Sequence, residues 1–359
     1  MSGAFGRAFA LGVEEELLVV DPATRALRHT AADVLAGMRV PAGAGSAHPD
    51  TFAALVELAS PVAATPEDGV RAIAALRARA LAVPGTGLIG AGVHPDGAFG
   101  DVVHVDEPRY HEIHAQLRGL LRRTPTSALH VHVGMPDAET AVHVGNGLRE
   151  WLPLLQALAG NSPFWHGVDS GLATARAQLF RGYPRGDIPP AFSSFDHFEE
   201  TVAAVVAAGD APDYTFLWWD IRPHPRLGTV EVRAMDAQSS LRTVHGLVAL
   251  VAGLARAAAE APVPARGWSP REALEESSFR AARDGVHATL LHDGALRPVA
   301  EIAADALALA GTDPALEEIT RLLHDGAGAD RQRTAFARGG MNAVLELLAA
   351  ETADLNPYV

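Results

Sequence analysis

The sequence contains no cysteine and no lysine, so all 29 of its basic residues are arginines. Without cysteine the chain can form neither disulfides nor thiolate metal sites, and it has no thiol nucleophile. Without lysine it has no P-loop lysine, no Schiff base and no lysine general base. Any catalysis must therefore depend on carboxylates, imidazoles and arginines.

Positive charge and long apolar runs are also scarce. The formal net charge is −14 in 359 residues, whereas a nucleic-acid surface needs a clustered basic excess. No stretch approaches the roughly 18 consecutive apolar residues of a membrane span, and the first residues lack the pattern of a signal peptide. We therefore expect a cytoplasmic protein that binds small molecules, with no nucleic-acid or membrane partner.

The hydrophobic pattern predicts an α+β fold in one domain, residues 1–359, strand-rich over 1–240 and mostly helical over 241–359. Strands are predicted at Phe9–Val20, Ala53–Ser60, Gly87–Val93, Ala128–Gly134 and Phe216–Ala234. Helices are predicted at Glu67–Val83, from Asp137 to Gly160 with a kink at Pro153, and at Leu241–Ala261, Ser277–Leu291, Val299–Leu309, Pro314–Leu323 and Asp330–Ala350. The segment Phe164–Phe192 is expected to be a long ordered loop, and such loops usually carry function.

The first strand segment, LGVEEELLVV, carries three adjacent carboxylates in an otherwise apolar run. Because side chains alternate between the faces of a strand, Glu14 and Glu16 share one face and Glu15 points to the apolar face. Taken alone, such a run is more often a solvated strand edge than a set of ligands. The sequence identifies no partner for Glu15.

The same alternation recurs in ALHVHVG, GTVEVRAMD and FLWWDIRPH. The polar faces of these segments carry His130 and His132, then Glu231 and Arg233, then Trp218, Asp220 and Arg222. Taken singly, each segment has an ordinary structural explanation, such as a surface ion pair for an arginine. If the strands are neighbours, however, several carboxylates converge, and they repel unless cations or arginines lie among them. Carboxylate oxygens with few nitrogens favour Mg²⁺ or Mn²⁺ over zinc, so the pattern predicts a multi-metal site for phosphate.

Several segments together resemble the carboxylate–amine ligase family, the type 2 glutamate–cysteine ligase relatives. They are LGVEEELLVVDPATRAL, HPDTFAALVELASP, ALHVHVGMPD, NSPFWHGVDSGLATARAQLFRGYPR, WWDIRPHPRLGTVEVRAMDAQ and GAGADRQ. The resemblance extends over nearly the whole chain. It implies a glutamine-synthetase-like catalytic domain, in which a curved antiparallel sheet, backed by helices, holds ATP and Mg²⁺ on its concave face. It also makes a homodimer plausible.

The resemblance further implies roles for individual residues. By this correspondence the metal ligands are Glu14, Glu16, Asp50, Glu57, His130 and Glu231. Glu231 and Arg233 are the expected catalytic residues, and Arg233 is expected to contact phosphate. Arg176 is similar to the arginine that grips the substrate carboxylate, and Arg222 is a second expected substrate-binding residue.

The leading hypothesis is an ATP-dependent ligase that joins a carboxylate to an amine through an acyl phosphate. Its substrate is expected to be glutamate or another amino acid, and the chemistry needs neither cysteine nor lysine. Two alternatives stay open at this point: a metal-dependent amide hydrolase with the same residues, or a non-catalytic relative that binds a nucleotide or metabolite. All three would share one fold, so fold cannot distinguish them.

Overall fold

The computed structural model describes residues 4–359, and its strands and helices together confirm the expected α+β class. The strands are β1 (Leu11–Val20), β2 (Ser46–Pro49), β3 (Leu55–Ala59), β4 (Gly87–Ile89), β5 (Ala128–Gly134), β6 (Phe164–Trp165), β7 (Val168–Asp169), β8 (Ile221–His224), β9 (Thr229–Asp236), β10 (Thr289–His292) and β11 (Ala295–Pro298).

The α-helices are α1 (Ala31–Gly37), α2 (Pro66–Leu81), α3 (Pro108–Leu117), α4 (Ala138–Arg149), α5 (Leu152–Leu158), α6 (Ala175–Phe180), α7 (Phe195–Ala207), α8 (Leu241–Glu260), α9 (Arg271–Asp284), α10 (Val299–Ala310), α11 (Glu317–Asp325) and α12 (Gly328–Ala353). Short 3₁₀ helices lie at Arg118–Arg122, Tyr214–Phe216, Gly285–His287 and Pro314–Leu316.

Seven strands form one sheet in the order β2-β3-β1-β5-β9-β8, and β4 pairs with the C-terminal end of β1. Every pairing in this sheet is antiparallel. The long first strand is central because it pairs with β3 along one edge and with β5 and then β4 along the other. The strands that carry the predicted polar residues are therefore neighbours.

One face of the sheet is covered by helices. Val13 and Leu17 of β1 and Val131 of β5 are buried in the same core cluster as Ile73 of α2 and Leu247 of α8. Alternation places the charged residues of these strands, except Glu15, on the opposite face. Because this core joins residues from both 1–240 and 241–359, we propose that the chain forms a single domain.

Helix α8 meets the length and apolarity expected of a membrane span, but 72% of its most apolar window is buried inside the protein. It lies among the helices behind the sheet, where it contributes Val244, Leu247 and Leu250 to the core. Its apolar character therefore serves the core of the fold.

Two predicted elements differ in the structure. The helix predicted at Ser277–Leu291 ends at Asp284, and β10 and β11 follow as a hairpin. Asp293 and Gly294 both have positive φ, as the two central residues of a tight hairpin turn require. In the strand segment predicted at Phe216–Ala234, FLWWDIRPH and GTVEVRAMD supply the antiparallel pair β8 and β9, but β8 begins only at Ile221, and a turn that includes Gly228 at φ +68° joins the two strands.

The segment predicted as a long loop contains short elements. Phe164–Phe192 includes the β6–β7 pair and helix α6, whose N-cap Thr174 accepts a hydrogen bond from the Ala177 amide. The predicted kink at Pro153 is a break between two helices, because α4 ends at Arg149 and Pro153 lies in the first turn of α5.

Candidate active site

Strand register brings the predicted residues together on the face of the sheet opposite the helices. The directly opposed pairs are Glu14 with His130, Glu16 with Glu57, His132 with Glu231, and Glu231 with Arg222. Opposed residues in an antiparallel pair have neighbouring side chains, so five strands contribute to one continuous polar surface.

Glu14, His130 and Glu231 each offer a ligand atom, and these atoms lie within 4.8 Å of one another. His130 Nδ1 is 3.4 Å from Glu14 Oε2, and His130 Nε2 is 3.6 Å from Glu16 Oε1. His130 Nε2 is buried and has no hydrogen-bond partner among residues 4–359. An unpartnered imidazole nitrogen among carboxylate oxygens fits a hard divalent cation such as Mg²⁺ or Mn²⁺.

His132 lies beside this group. Its position in the sequence predicts that it shares a strand face with His130, but it predicts no role for it. Its Nε2 is 3.3 Å from Glu14 Oε1 and 3.9 Å from Glu231 Oε1, while its Nδ1 is 3.0 Å from Thr229 Oγ1. Burial alone would lower the pKa of His132, but the two carboxylates raise it. His132 therefore supplies part of the positive charge that these carboxylates need.

The carboxylates divide into two classes by pKa. Burial, together with Asp50, raises the pKa of Glu16 to about 8, and burial beside Glu14 raises that of Glu57 well above its usual value. Burial would also raise the pKa of Glu14, but His132 and His130 hold it far below its usual value. Without a cation, the raised pKa of Glu16 favours its protonated form at neutral pH, and a bound cation would replace that proton.

Glu231 is oriented by two arginines. Arg222 Nε donates to Glu231 Oε2 at 2.7 Å, and Arg233 Nη1 donates to Glu231 Oε1. Burial would raise the pKa of Glu231, but Arg222 and Arg233 hold it well below its usual value. Arg222 Nη1 also donates to the Leu217 and Thr215 carbonyls, at 2.8 and 3.2 Å. Arg222 thus contacts Glu231 and the backbone, and direct substrate binding by Arg222 stays a prediction.

Arg176 lies in the first turn of α6 and is only 4% exposed. Its Nη2 donates to the Arg233 carbonyl at 3.2 Å, and its Nε is buried without a partner among the described residues. The helix is held against β9 by Asp236, which accepts hydrogen bonds from Ser162 Oγ and Thr174 Oγ1 at 2.7 and 2.8 Å. No role is predicted for Asp236 from the sequence, although this residue ends the segment GTVEVRAMD quoted above.

Two adjoining cavities open onto these residues. The metal chamber, of about 760 Å³, is lined by Glu14, Glu16, Asp50, Glu57, His130, His132, Arg222, Glu231 and Arg233, among others. The inner chamber, of about 530 Å³, is lined by Arg176 together with Phe52, Leu117, Leu121, Thr126, Phe180 and Tyr183. The wall common to both consists of Glu16, Asp50, Thr51, Ile113, His130, Trp218 and Arg233. The predicted metal ligands thus line one cavity, and Arg176 lies in its neighbour.

The partner of Glu15 is Arg77 of α2, on the opposite face of the sheet. Arg77 Nε and Nη2 donate to the two carboxylate oxygens of Glu15 at 2.8 and 2.7 Å, and both side chains are completely buried. Arg77 also donates to the Gln238 and Ser239 carbonyls, each at 2.7 Å. The middle carboxylate of β1 is therefore structural, while its two neighbours face the metal chamber.

Comparison with known proteins identifies relatives along nearly the whole chain. The family described as glutamate–cysteine ligase family 2 matches residues 10–346. A relative from Rubrobacter xylanophilus is 37% identical over 98% of this chain and 100% of its own length. Glutamate–cysteine ligase of Halobacterium salinarum is 35% identical over 92% of this chain and 93% of its own.

A solved structure shares the fold at lower identity. The crystal structure of glutamate–cysteine ligase from Francisella tularensis in complex with AMP matches with a TM-score of 0.72 and 14% identity. The match covers 99% of this chain and 90% of that one. The fold class expected from the resemblance is thereby confirmed.

Proposed function

Since the chain belongs to glutamate–cysteine ligase family 2, we propose that it is a carboxylate–amine ligase that works through an acyl phosphate. Membership itself makes the chain an ATP-dependent ligase. The observation that carries the proposal is the convergence of five carboxylates, the three imidazoles of His130, His132 and His224, and Arg233 on one chamber. An amino acid, glutamate among the candidates, is the proposed carboxylate substrate.

The metal site would be formed by Glu14, Glu16, Asp50, Glu57, His130 and Glu231. These residues fit Mg²⁺ or Mn²⁺, because their donors are mainly hard oxygens and His130 Nε2 has no hydrogen-bond partner among residues 4–359. When bound, such a cation would neutralise phosphate charge and polarise phosphoryl oxygens. Arg222 positions Glu231 through the 2.7 Å hydrogen bond from its Nε.

The first chemical step transfers the γ-phosphoryl group of ATP to the substrate carboxylate. A carboxylate oxygen forms a bond to the γ-phosphorus, the bond from that phosphorus to the bridging oxygen breaks, and ADP leaves. Negative charge builds on the phosphoryl oxygens, so a fixed cation beside them lowers the barrier. Arg233 is suited to this role because it lies partly buried in the common wall and its neighbouring carboxylates raise its pKa.

The second step forms the amide bond. The neutral amine attacks the carbonyl carbon of the acyl phosphate, the carbon–oxygen bond to phosphate breaks, and inorganic phosphate leaves. The amine loses one proton before the attack and one after it, and buffer or a carboxylate of the site accepts these protons. Holding the two reactants side by side supplies most of the rate enhancement in such a reaction.

Replacement of Glu231 tests the assignment of the site. We expect Glu231→Gln to reduce ADP release in the presence of amine and Mg²⁺ at least 100-fold, because the substitution removes a ligand charge and the partner of two arginines. The measurement is coupled-assay ADP release, with circular dichroism to check folding. The control is Glu346→Gln, whose 62% exposed side chain lies outside the chamber and should leave the rate unchanged.

The same assay separates the ligase from the open alternatives. A ligase sustains ADP release over many turnovers only when ATP, an acid and an amine are all present, and mass spectrometry detects the amide. Amide cleavage that proceeds without ATP would instead support the hydrolase, and ATP binding without turnover of any pair would support a non-catalytic relative. Full activity of Glu231→Gln would contradict the role of Glu231.

A further inference from the structure

We propose that the inner chamber binds the amine substrate, and that this substrate is an α-amino acid with an aromatic or branched apolar side chain. The inference deepens the proposed function and depends on it. It follows from three features of the chamber: the chemistry of its wall, the buried cation in that wall, and the order in which charged residues occur along the wall.

The part of the wall that belongs only to the inner chamber is mostly apolar. It consists of Phe52, Leu117, Leu121, Phe180 and Tyr183, and its uncharged polar groups are the hydroxyls of Thr126 and Tyr183. An ammonium placed here would lose its hydration and meet only the like charge of Arg176, and a side-chain carboxylate would compete with the α-carboxylate for that one cation. A thiol would contact only part of this wall, whereas an aromatic or branched side chain would cover more of it.

Arg176 is the one charged residue in that part of the wall. It is 4% exposed, its Nε has no hydrogen-bond partner among residues 4–359, and its guanidinium carbon lies 5.3 Å from the centre of the Phe180 ring. A buried guanidinium with an unpartnered nitrogen is a binding site for a carboxylate. It therefore suits the α-carboxylate of an amino acid.

The order of charges gives the orientation of the ligand. Arg176 lines only the inner chamber, while the carboxylates Glu16 and Asp50 lie in the wall common to both chambers. An amino acid whose α-carboxylate contacts Arg176 therefore directs its amino group toward Glu16 and Asp50, on the side of the metal chamber. The acyl phosphate forms in that chamber, so the molecule is presented as the nucleophile.

The decisive experiment is a matrix of L-amino acids as acid and amine with Mg²⁺-ATP, followed by ADP release and product mass. As amines, L-phenylalanine or L-leucine should exceed L-cysteine and L-alanine at least tenfold in kcat/KM, since each added methylene in an apolar pocket contributes substantially to discrimination. A preference for cysteine, or for an amine with a charged side chain, would overturn the inference and leave the ligase intact. No ADP release with any pair would overturn the proposed function itself.

A pair of amines tests Arg176 separately. Arg176→Gln should raise the KM for L-phenylalanine at least tenfold, but it should leave the KM for 2-phenylethylamine, which lacks the carboxylate, within twofold of the original enzyme. Equal effects on both amines would show that Arg176 does not contact the α-carboxylate, and would overturn the proposed orientation.

The apolar wall is tested by changing its volume. Leu121→Phe should lower kcat/KM for L-phenylalanine at least tenfold and spare L-alanine, while Leu296→Phe, at a 59% exposed position, should change neither. If Leu121→Phe does not fold, Leu117→Ala supplies the same test, because an enlarged chamber should shift the preference toward L-tryptophan. Unchanged preferences in a folded variant of this wall would refute the placement of the side chain.

Discussion

At the scale of single residues, the three glutamates of β1 show how one strand serves two environments. Glu14 and Glu16 face the metal chamber, whereas Glu15 is fully buried behind the sheet and binds Arg77 through two hydrogen bonds. Desolvating two charges is costly, and the pair is tolerated because its geometry is bidentate and Arg77 also satisfies two backbone carbonyls. The Glu15–Arg77 pair therefore fixes which face of β1 lies against the helices, so that Glu14 and Glu16, the predicted ligands, face the metal chamber.

Arg77→Met should lower the free energy of unfolding by about 3–5 kcal/mol, because it leaves the Glu15 carboxylate buried without a partner. Arg71→Ala is the matched control on the same helix. The Arg71–Glu67 pair is more than half exposed on both sides, so its loss should cost less than about 1 kcal/mol. Urea denaturation gives both values, and similar costs for the two variants would contradict a structural role for Arg77.

Alternation was sufficient to group Glu14, Glu16, His130 and Glu231 on one face, because the two-residue period of a strand is a local property. It could not identify Arg77, since that contact joins residues 62 positions apart on different elements. Nor could it show that Arg222 contacts Glu231 and the backbone. Such assignments depend on which strands and helices become neighbours, and a single sequence does not encode this in any short window.

At the scale of elements, the last helix shows where local signals mislead. The sequence predicts one helix over Asp330–Ala350, and α12 does span that range, but its backbone leaves helical geometry at Gly339 and Gly340. Gly340 has φ +67° and ψ −159°, a conformation that is accessible essentially only to glycine. The hydrophobic periodicity of the sequence does not reveal this break, and only the adjacent glycines Gly339 and Gly340 signal it.

Gly340→Ala should therefore destabilise the protein by about 1–3 kcal/mol through backbone strain. A Cβ atom at this position would meet nothing within 4 Å, so steric overlap cannot account for the loss. The control is Gly145→Ala in α4, where the added Cβ also meets nothing within 4 Å but φ lies outside the positive region. That substitution should stabilise the protein by about 0.4–1 kcal/mol. Thermal unfolding measures both, and a stabilising Gly340→Ala would disprove the strain.

At the scale of the whole molecule, an acidic protein concentrates part of its negative charge on one interior surface. The net charge of the protein is −14, so acidic residues outnumber basic ones. Within the chamber, Arg222, Arg233 and His132 compensate only part of the negative charge of the carboxylates. Burial together with Asp50 raises the pKa of Glu16 to about 8, and burial beside Glu14 raises that of Glu57 well above its usual value. Binding of the proposed cation would therefore be linked to protonation and to folding stability.

This linkage predicts a pH-dependent difference between the original protein and Glu16→Gln. The folded-state pKa of Glu16 is raised to about 8, so without metal the folded protein retains a proton that the unfolded chain releases above about pH 4.5. The stability contributed by this group therefore falls as pH rises through that window. Glutamine cannot ionise, and its amide oxygen can still accept the hydrogen bond that the Ala128 amide donates to Glu16.

In metal-free buffer, Glu16→Gln should become progressively more stable than the original protein between about pH 5 and pH 8, by an amount on the order of 1 kcal/mol or more at the upper end. Saturating Mg²⁺ should reverse the order, because only the ionised carboxylate binds the cation and stabilises the fold. Glu346→Gln should show no such trend at its 62% exposed position. Unfolding free energies across this pH range test the point, and a pH-independent difference without Mg²⁺ would exclude a buried, protonated Glu16.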